Sequence, residues 1–167
     1  MLRAVPLTPV IEFACERDDI TVKGARMAGS SELPEARMPK RSLISVVEDD
    51  EFFRESMRNL MRSLGYSVEA FASAADFLAS PRLMETVCLI ADVNMPAMTG
   101  IELYTHLIDG GFTIPTILVT AYPNDVERAG ALKNGVVCYL RKPIDERHLV
   151  RCLLAALPPG ESPKENT

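Results

Sequence analysis

The sequence predicts an α/β fold built on an open parallel sheet, and three observations carry that prediction. From Leu43 onward, short apolar strand-like runs alternate with helix-period segments. Three of the runs are nearly continuous in apolar residues, as strands covered on both faces should be. The acidic and polar residues that stand out from this pattern follow the carboxyl ends of the runs.

Taken in order, the strands are expected at Leu43 to Val47 (LISVV), Ser67 to Phe71, Val87 to Ala91 (VCLIA), Ile114 to Val119 (IPTILV) and Val136 to Leu140 (VVCYL). The first helix carries Phe53, Met57, Leu60, Met61 and Leu64 at helical spacing and stops at Gly65, a residue suited to the left-handed conformation. Ser73-Ala-Ala-Asp76 resembles a capping box with aspartate in the place of glutamate, and Pro123 suits the first turn of a helix after the fourth strand. The last helix repeats the apolar period with Leu149, Cys152, Leu153, Ala156 and Leu157 before Pro158-Pro159 ends it.

Residues 1–42 do not continue the pattern. They read either as a small hairpin around Val10 to Ala14 and Ile20 to Val22 followed by a linker, or as a disordered extension, or as sequence upstream of a start at Met38. The polar stretch 158–167 (PPGESPKENT) reads as a disordered tail.

A formal net charge of −5 argues against a nucleic-acid or anionic-membrane surface and favours a protein or a cation as partner. No apolar run approaches the roughly 18 residues of a membrane span, and the first 15 residues lack the apolar stretch and cleavage pattern of a signal peptide. Cys15, Cys88, Cys138 and Cys152 stand far apart without a C-x-x-C pair, and three of them lie in apolar runs. They read as buried, reduced thiols of a cytosolic protein.

The chemistry-bearing residues are Glu48-Asp49-Asp50 after the first strand, Asp92 after the third, Thr120 after the fourth and Lys142-Pro143 after the fifth. In open α/β sheets that edge is where ligands bind. Clustered carboxylates repel one another unless a cation neutralises them, and an all-oxygen set suits a hard ion such as Mg²⁺. Were a phosphoryl group transferred to Asp92, charge would build on its equatorial oxygens. An ammonium from Lys142, a hydroxyl from Thr120 and the metal are the groups such a transfer requires.

The segments VVEDDEFFRESMRNLMRSLGYSVEAFASAADFL, LIADVNMPAMTGIEL, TILVTAY and YLRKP, in order and at normal spacing over residues 43–157, resemble the receiver domain of two-component response regulators, nearest the FixJ-like subgroup. The resemblance implies a flavodoxin-like (βα)5 fold with strand order 2-1-3-4-5, which would bring Asp49 and Asp92 into one cleft. Because only ten polar residues follow Leu157, the receiver is expected to stand alone, without a DNA-binding domain of its own. It implies that Asp92 is the phosphoacceptor, supplied by a phosphohistidine of a sensor histidine kinase or phosphotransfer protein. Asp49 looks like a direct Mg²⁺ ligand, Glu48 a ligand through water where the family usually has aspartate, and Asn94 a ligand through its backbone carbonyl. Thr120 and Lys142 resemble the phosphate-holding pair, Lys142-Pro143 the family's cis peptide, Tyr139 the switch aromatic and Ala121 the small residue beside the phosphate. The output surface it implies is helix four, strand five and helix five, facing a downstream protein. That the chain does not act on DNA is expected from its net charge of −5 and the short polar stretch after Leu157.

Each feature also has an ordinary meaning: a solvated acid run, a strand-end hydroxyl, a surface lysine, a fixed core tyrosine. His106 and His148, on helix-like segments without metal-ligand spacing, read as surface or half-buried residues. Among rival functions, an aspartyl-phosphate phosphohydrolase of the haloacid dehalogenase type needs an aspartate where Asn94 stands. A nucleotide or flavin module needs a phosphate-cradling loop where Glu48-Asp-Asp-Glu51 would repel phosphate. A phosphate sink without an output partner is a third alternative.

Overall fold

The computed structural model describes residues 42–159. The expected hairpin, the start at Met38, Cys15 and residues 160–167 lie outside them. Five parallel strands, β1 (Leu43–Val47), β2 (Ser67–Phe71), β3 (Thr86–Asp92), β4 (Thr116–Thr120) and β5 (Cys138–Arg141), form one sheet in the order β2-β1-β3-β4-β5. Helices α1 (Glu51–Ser63), α2 (Ala74–Leu78), α3 (Gly100–Asp109), α4 (Asp125–Lys133) and α5 (Glu146–Ala156) connect them. This is the flavodoxin-like arrangement expected from the resemblance.

The burial of each strand follows its place in that order. The interior strands β1 and β4 are buried at every position, and β3 at all but Val87, whereas the edge strand β2 is half-buried throughout. Alternate residues of each interior strand serve opposite faces, as the two-residue period of a strand dictates. Ile44, Val46, Cys88, Ile90, Ile117 and Val119 pack with Met57 and Met61 of α1 and Leu149 and Leu153 of α5. Val47, Leu89, Ala91 and Leu118 pack with Phe77 of α2, Leu103 and Leu107 of α3 and Ala131 of α4.

Local chemistry sets the helix ends. The Asp50 carboxylate accepts the Phe53 N–H at 2.7 Å and caps α1, which ends before Gly65 at φ 93°. Ser73 caps α2 by accepting the Asp76 N–H at 3.1 Å, while the Asp76 carboxylate accepts the Ser73 hydroxyl at 2.7 Å. A full capping box occurs instead at Thr99 and Glu102 of α3.

Three expectations need correction. Pro123 is not in the first turn of α4, because Asn124 is the cap, its side chain accepting the Val126 and Glu127 N–H groups. The fifth strand begins at Cys138, since Val136 is taken up in the turn after α4, where its N–H donates to the Ala131 carbonyl at 3.1 Å. Cys138 and Cys152 are not reduced thiols but a disulfide joining β5 to α5. Their Cα atoms stand 6.0 Å apart, within the span of such a bridge, because the strand and helix pack together across 14 positions of sequence. Cysteine spacing therefore no longer argues for a reducing compartment. Cys88 is a buried free thiol, as expected, and burial pushes its pKa up to about 12. Among the described residues, no helix is long and apolar enough to cross a membrane.

Candidate functional site

Parallel pairing carries the candidate residues to one edge of the sheet. Past the end of β1 the Glu48 N–H donates to the Phe71 carbonyl at 3.0 Å, and past β5 the Lys142 N–H donates to the Thr120 carbonyl at 2.8 Å. Asp92 ends β3 and Thr120 ends β4, with Asp92 in register with Val119 and Thr120 with Arg141. The Arg54 guanidinium donates to the Glu48 and Asp49 carbonyls at 2.8 and 3.2 Å and fastens the loop that carries the acids. A Cβ on Gly100 would run into the Asp92 carbonyl, so only glycine lets α3 start this close to the end of β3.

The result is an open cleft of about 560 Å³ lined by Glu48, Asp49, Asp50, Phe53, Asp92, Asn94, Ala121, Tyr122 and Lys142. Glu48 is 2% exposed and Asp92 6%, whereas Asp49 faces solvent. One carboxylate oxygen from each of these acids lies within 4.8 Å of the others, a spacing at which a cation could hold all three. Asp92 Oδ1 is enclosed and makes no hydrogen bond, although the Lys142 ammonium stands 3.2 Å away. A buried carboxylate oxygen that lacks a hydrogen bond and lies beside two further acids fits a hard divalent cation such as Mg²⁺, which takes oxygen ligands.

Lys142 Nζ is the hub of the cleft. It donates to Glu48 Oε2 at 2.7 Å and sits 4.1 Å over the centroid of the Phe53 ring. Burial raises the Glu48 pKa, the Lys142 hydrogen bond opposes that rise and the Asp92 charge adds to it. Burial alone would lower the Lys142 pKa, but pairing with Glu48 and Asp92 outweighs it and holds the ammonium above its ordinary value. The lysine is charged because two acids share it, and Glu48 resists ionisation because one shared cation does not fully repay its burial. The peptide bond Lys142–Pro143 is cis, as the resemblance implied.

Thr120 is fully buried, and its hydroxyl oxygen accepts from the Asn94 side-chain amide at 2.8 Å and from the Tyr122 N–H at 3.0 Å. Tyr139 is 8% exposed, its ring inside the core beside α4. Its hydroxyl is enclosed without a well-formed hydrogen bond, and burial raises its pKa against the opposing influence of the Asn124 backbone and Thr120. His106 and His148 are exposed on α3 and α5, and neither lines the cleft.

The cleft thus unites Glu48, Asp49, Asp92, Asn94, Ala121 and Lys142, with Thr120 hydrogen-bonded to its rim. Asp50, the third acid of the run, is a helix cap although it also lines the cleft. Two contributions went unforeseen. The Asn94 side chain reaches Thr120, a contact invisible while 26 positions of sequence separate them. Phe53 was read only as one member of an apolar helix stripe, and its spacing alone cannot distinguish a core residue from one that also meets an ammonium.

An acidic cleft at the carboxyl edge of a 2-1-3-4-5 sheet, with a lysine beside its central aspartate, is the site that the receiver resemblance implies. The family model of the response regulator receiver domain matches residues 44–154, and the chain belongs to that family. Its relatives place it with the FixJ-type regulators. Nodulation protein W of Bradyrhizobium diazoefficiens is 36% identical over 116 residues, covering 70% of this chain and 51% of that protein. The transcriptional regulatory protein FixJ of Azorhizobium caulinodans is 32% identical over 120 residues, covering 72% of this chain and 57% of that protein. Among solved structures, the response regulator StyR superposes with a TM-score of 0.65 at 37% identity, covering 70% of this chain and 59% of that one. The chain spans about half the length of the curated relatives it matches. Membership makes the domain a signalling phosphoacceptor and not a conventional enzyme. It also sets aside the phosphohydrolase and nucleotide-module readings.

Proposed function

We propose that this receiver takes a phosphoryl group on Asp92 in a Mg²⁺-dependent transfer and thereby switches a protein-binding surface. The observation that carries the reading is Asp92 Oδ1, buried and without a hydrogen bond, 3.2 Å from a lysine ammonium and grouped with two more acids. The donor is the phosphohistidine of a sensor histidine kinase or phosphotransfer protein, the partner type of the family. An Asp92 carboxylate oxygen forms the new P–O bond while the P–N bond breaks, and its electron pair leaves with the donor imidazole.

Charge gathers on the equatorial oxygens during transfer, and fixed positive groups and donors there lower the barrier. The Lys142 ammonium is one such group, already charged and already beside Asp92. Thr120 is another: both acceptor positions of its hydroxyl are filled by Asn94 and Tyr122, which leaves its own proton to donate. Glu48, Asp49, Asp92 and the Asn94 backbone carbonyl would hold the ion. Bound there, Mg²⁺ neutralises the crowded acids and the transferred phosphate.

Output follows from Thr120, Tyr139 and the face made by α4, β5 and α5. A phosphoryl group adds about −1.5 to −2 charges and three acceptor oxygens. Thr120 moving to meet it would loosen the contacts beside Tyr139 and reset how α4 seats. The net charge of −5 supports a protein as the partner of that face over DNA.

Incubation with acetyl phosphate and Mg²⁺ tests this by intact mass. The chain should gain one phosphoryl group, and EDTA or Asp92→Asn should abolish the gain. Full labelling of Asp92→Asn would overturn the assignment. Asp49→Ala should weaken Mg²⁺ binding more than Glu48→Gln, and the reverse order would exchange their roles.

A further inference from the structure

We propose that Phe53 is a positioning residue for Lys142, its ring face holding the ammonium in the cleft; the inference rests on the phosphoacceptor reading above. A lysine carries a point charge on a flexible stem and needs fixed neighbours to place it. Lys142 Nζ has three: Glu48 Oε2 at 2.7 Å, Asp92 Oδ1 at 3.2 Å and the Phe53 centroid at 4.1 Å. Both carboxylates are claimed by other events, since a cation draws on their oxygens and phosphorylation converts one of them. The ring is the neighbour that neither event alters.

An aromatic face attracts a cation within about 6 Å of its centroid, and more strongly where water is shut out. Lys142 has a side chain only 17% exposed, so the ring also shields the charge and strengthens its pull on an incoming phosphoryl oxygen. Phe53 is itself well placed for this. It stands in the first turn of α1, its N–H is anchored on the Asp50 carboxylate at 2.7 Å, and it packs against the buried core beneath α1 and α5. Phe52, one position earlier, is 89% exposed and does not line the cleft. Two adjacent phenylalanines therefore have separate fates, and the second alone reaches the ammonium.

The test compares wild type, Phe53→Leu, Phe53→Met, Phe53→Tyr and Phe52→Leu by rate of labelling with acetyl phosphate and Mg²⁺, and by the proton shifts of the Lys142 methylenes. Phe53→Leu and Phe53→Met should label about 3- to 30-fold more slowly. Phe53→Tyr, which keeps the ring face, should restore most of the rate, and Phe52→Leu should match wild type. The Lys142 methylene protons next to Nζ should lie upfield in wild type and Phe53→Tyr and return to ordinary lysine positions in Phe53→Leu. A folded Phe53→Leu or Phe53→Met that labels as fast as wild type, or wild-type methylene shifts without ring displacement, would overturn the proposal while leaving Asp92 as acceptor. A wild type that gains no phosphoryl mass would instead overturn the phosphoacceptor reading, and this one with it.

Discussion

Helices α4 and α5 cover opposite faces of the sheet near β4 and β5, and they are held very differently. Helix α5 buries Leu149, Cys152, Leu153 and Ala156. Helix α4 buries Ala131 and leaves Val126 82% exposed. A helix with four buried anchors opens with the rest of the core, whereas one resting on a single alanine can open locally at low cost. Under the proposed function, that difference bears on where a signal would leave the molecule. On the proposed reading, phosphorylation of Asp92 would need little work to reseat α4, which packs with Tyr139 in the same cluster, while α5 would offer a fixed frame for that motion.

The largest expected effect is on the firm side. Leu153→Ala should cost about 2–5 kcal/mol in denaturant unfolding, the range for truncating a fully buried leucine. A loss below about 1 kcal/mol would mean that α5 is no better anchored than α4. The same cluster holds Cys88, whose thiol burial pushes to about 12 from an ordinary 9.0. Since the folded state keeps the proton that the unfolded chain releases, this contribution is intact below pH 9.0 and is lost as pH rises toward about 12. The Cys88 share of the slope should reach up to about 1.4 kcal/mol per pH unit and be missing in Cys88→Ala, while the shares of Tyr139 and Lys142, whose pKa values are also raised, remain in both proteins. Equal slopes in the two proteins would show that the site is wetter than its burial indicates.

Smaller effects belong to α4. Ala131→Gly should cost about 1.5–2 kcal/mol, from lost helix propensity and one buried methyl. Smallest of all, Val126→Ser on the exposed face should change stability by no more than about 0.5 kcal/mol. Native-state amide exchange sharpens the contrast, since residues 125–133 should exchange by local opening well before the interior of α5. Exchange of both helices only through global unfolding would erase the distinction.

Much of this molecule was legible before its structure. Continuous apolar runs identified β1, β3 and β4 because a strand covered on both faces has no polar alternation to show. Helical spacing and Gly65 marked α1 and its end, since 3.6-residue periodicity and left-handed backbone are local properties. Glu48, Asp49, Asp92 and Lys142 could be singled out because each stands at or just past the end of an apolar run, and parallel strands deliver their carboxyl ends to one edge. Where the cue was weaker, the boundary slipped: Pro123 was taken for helix although the Asn124 carboxamide, two residues before the first free N–H groups it caps, decides the start.

Tertiary structure alone decided the rest, for one reason: those contacts join residues whose separation in sequence has no bearing on their separation in space. The strand order came through family resemblance, and only the sheet itself makes β1 and β3 neighbours. The Cys138–Cys152 bridge arises where β5 meets α5, and no spacing of cysteines announces it. Asn94 meets Thr120 because β3 and β4 pair, and Glu48 meets Lys142 across 94 positions because β1 and β5 end at the same edge. Phe53 belongs to both accounts. Its helical period placed it on the buried side of α1, while the close packing of that helix against the sheet edge set its ring beneath a lysine charge.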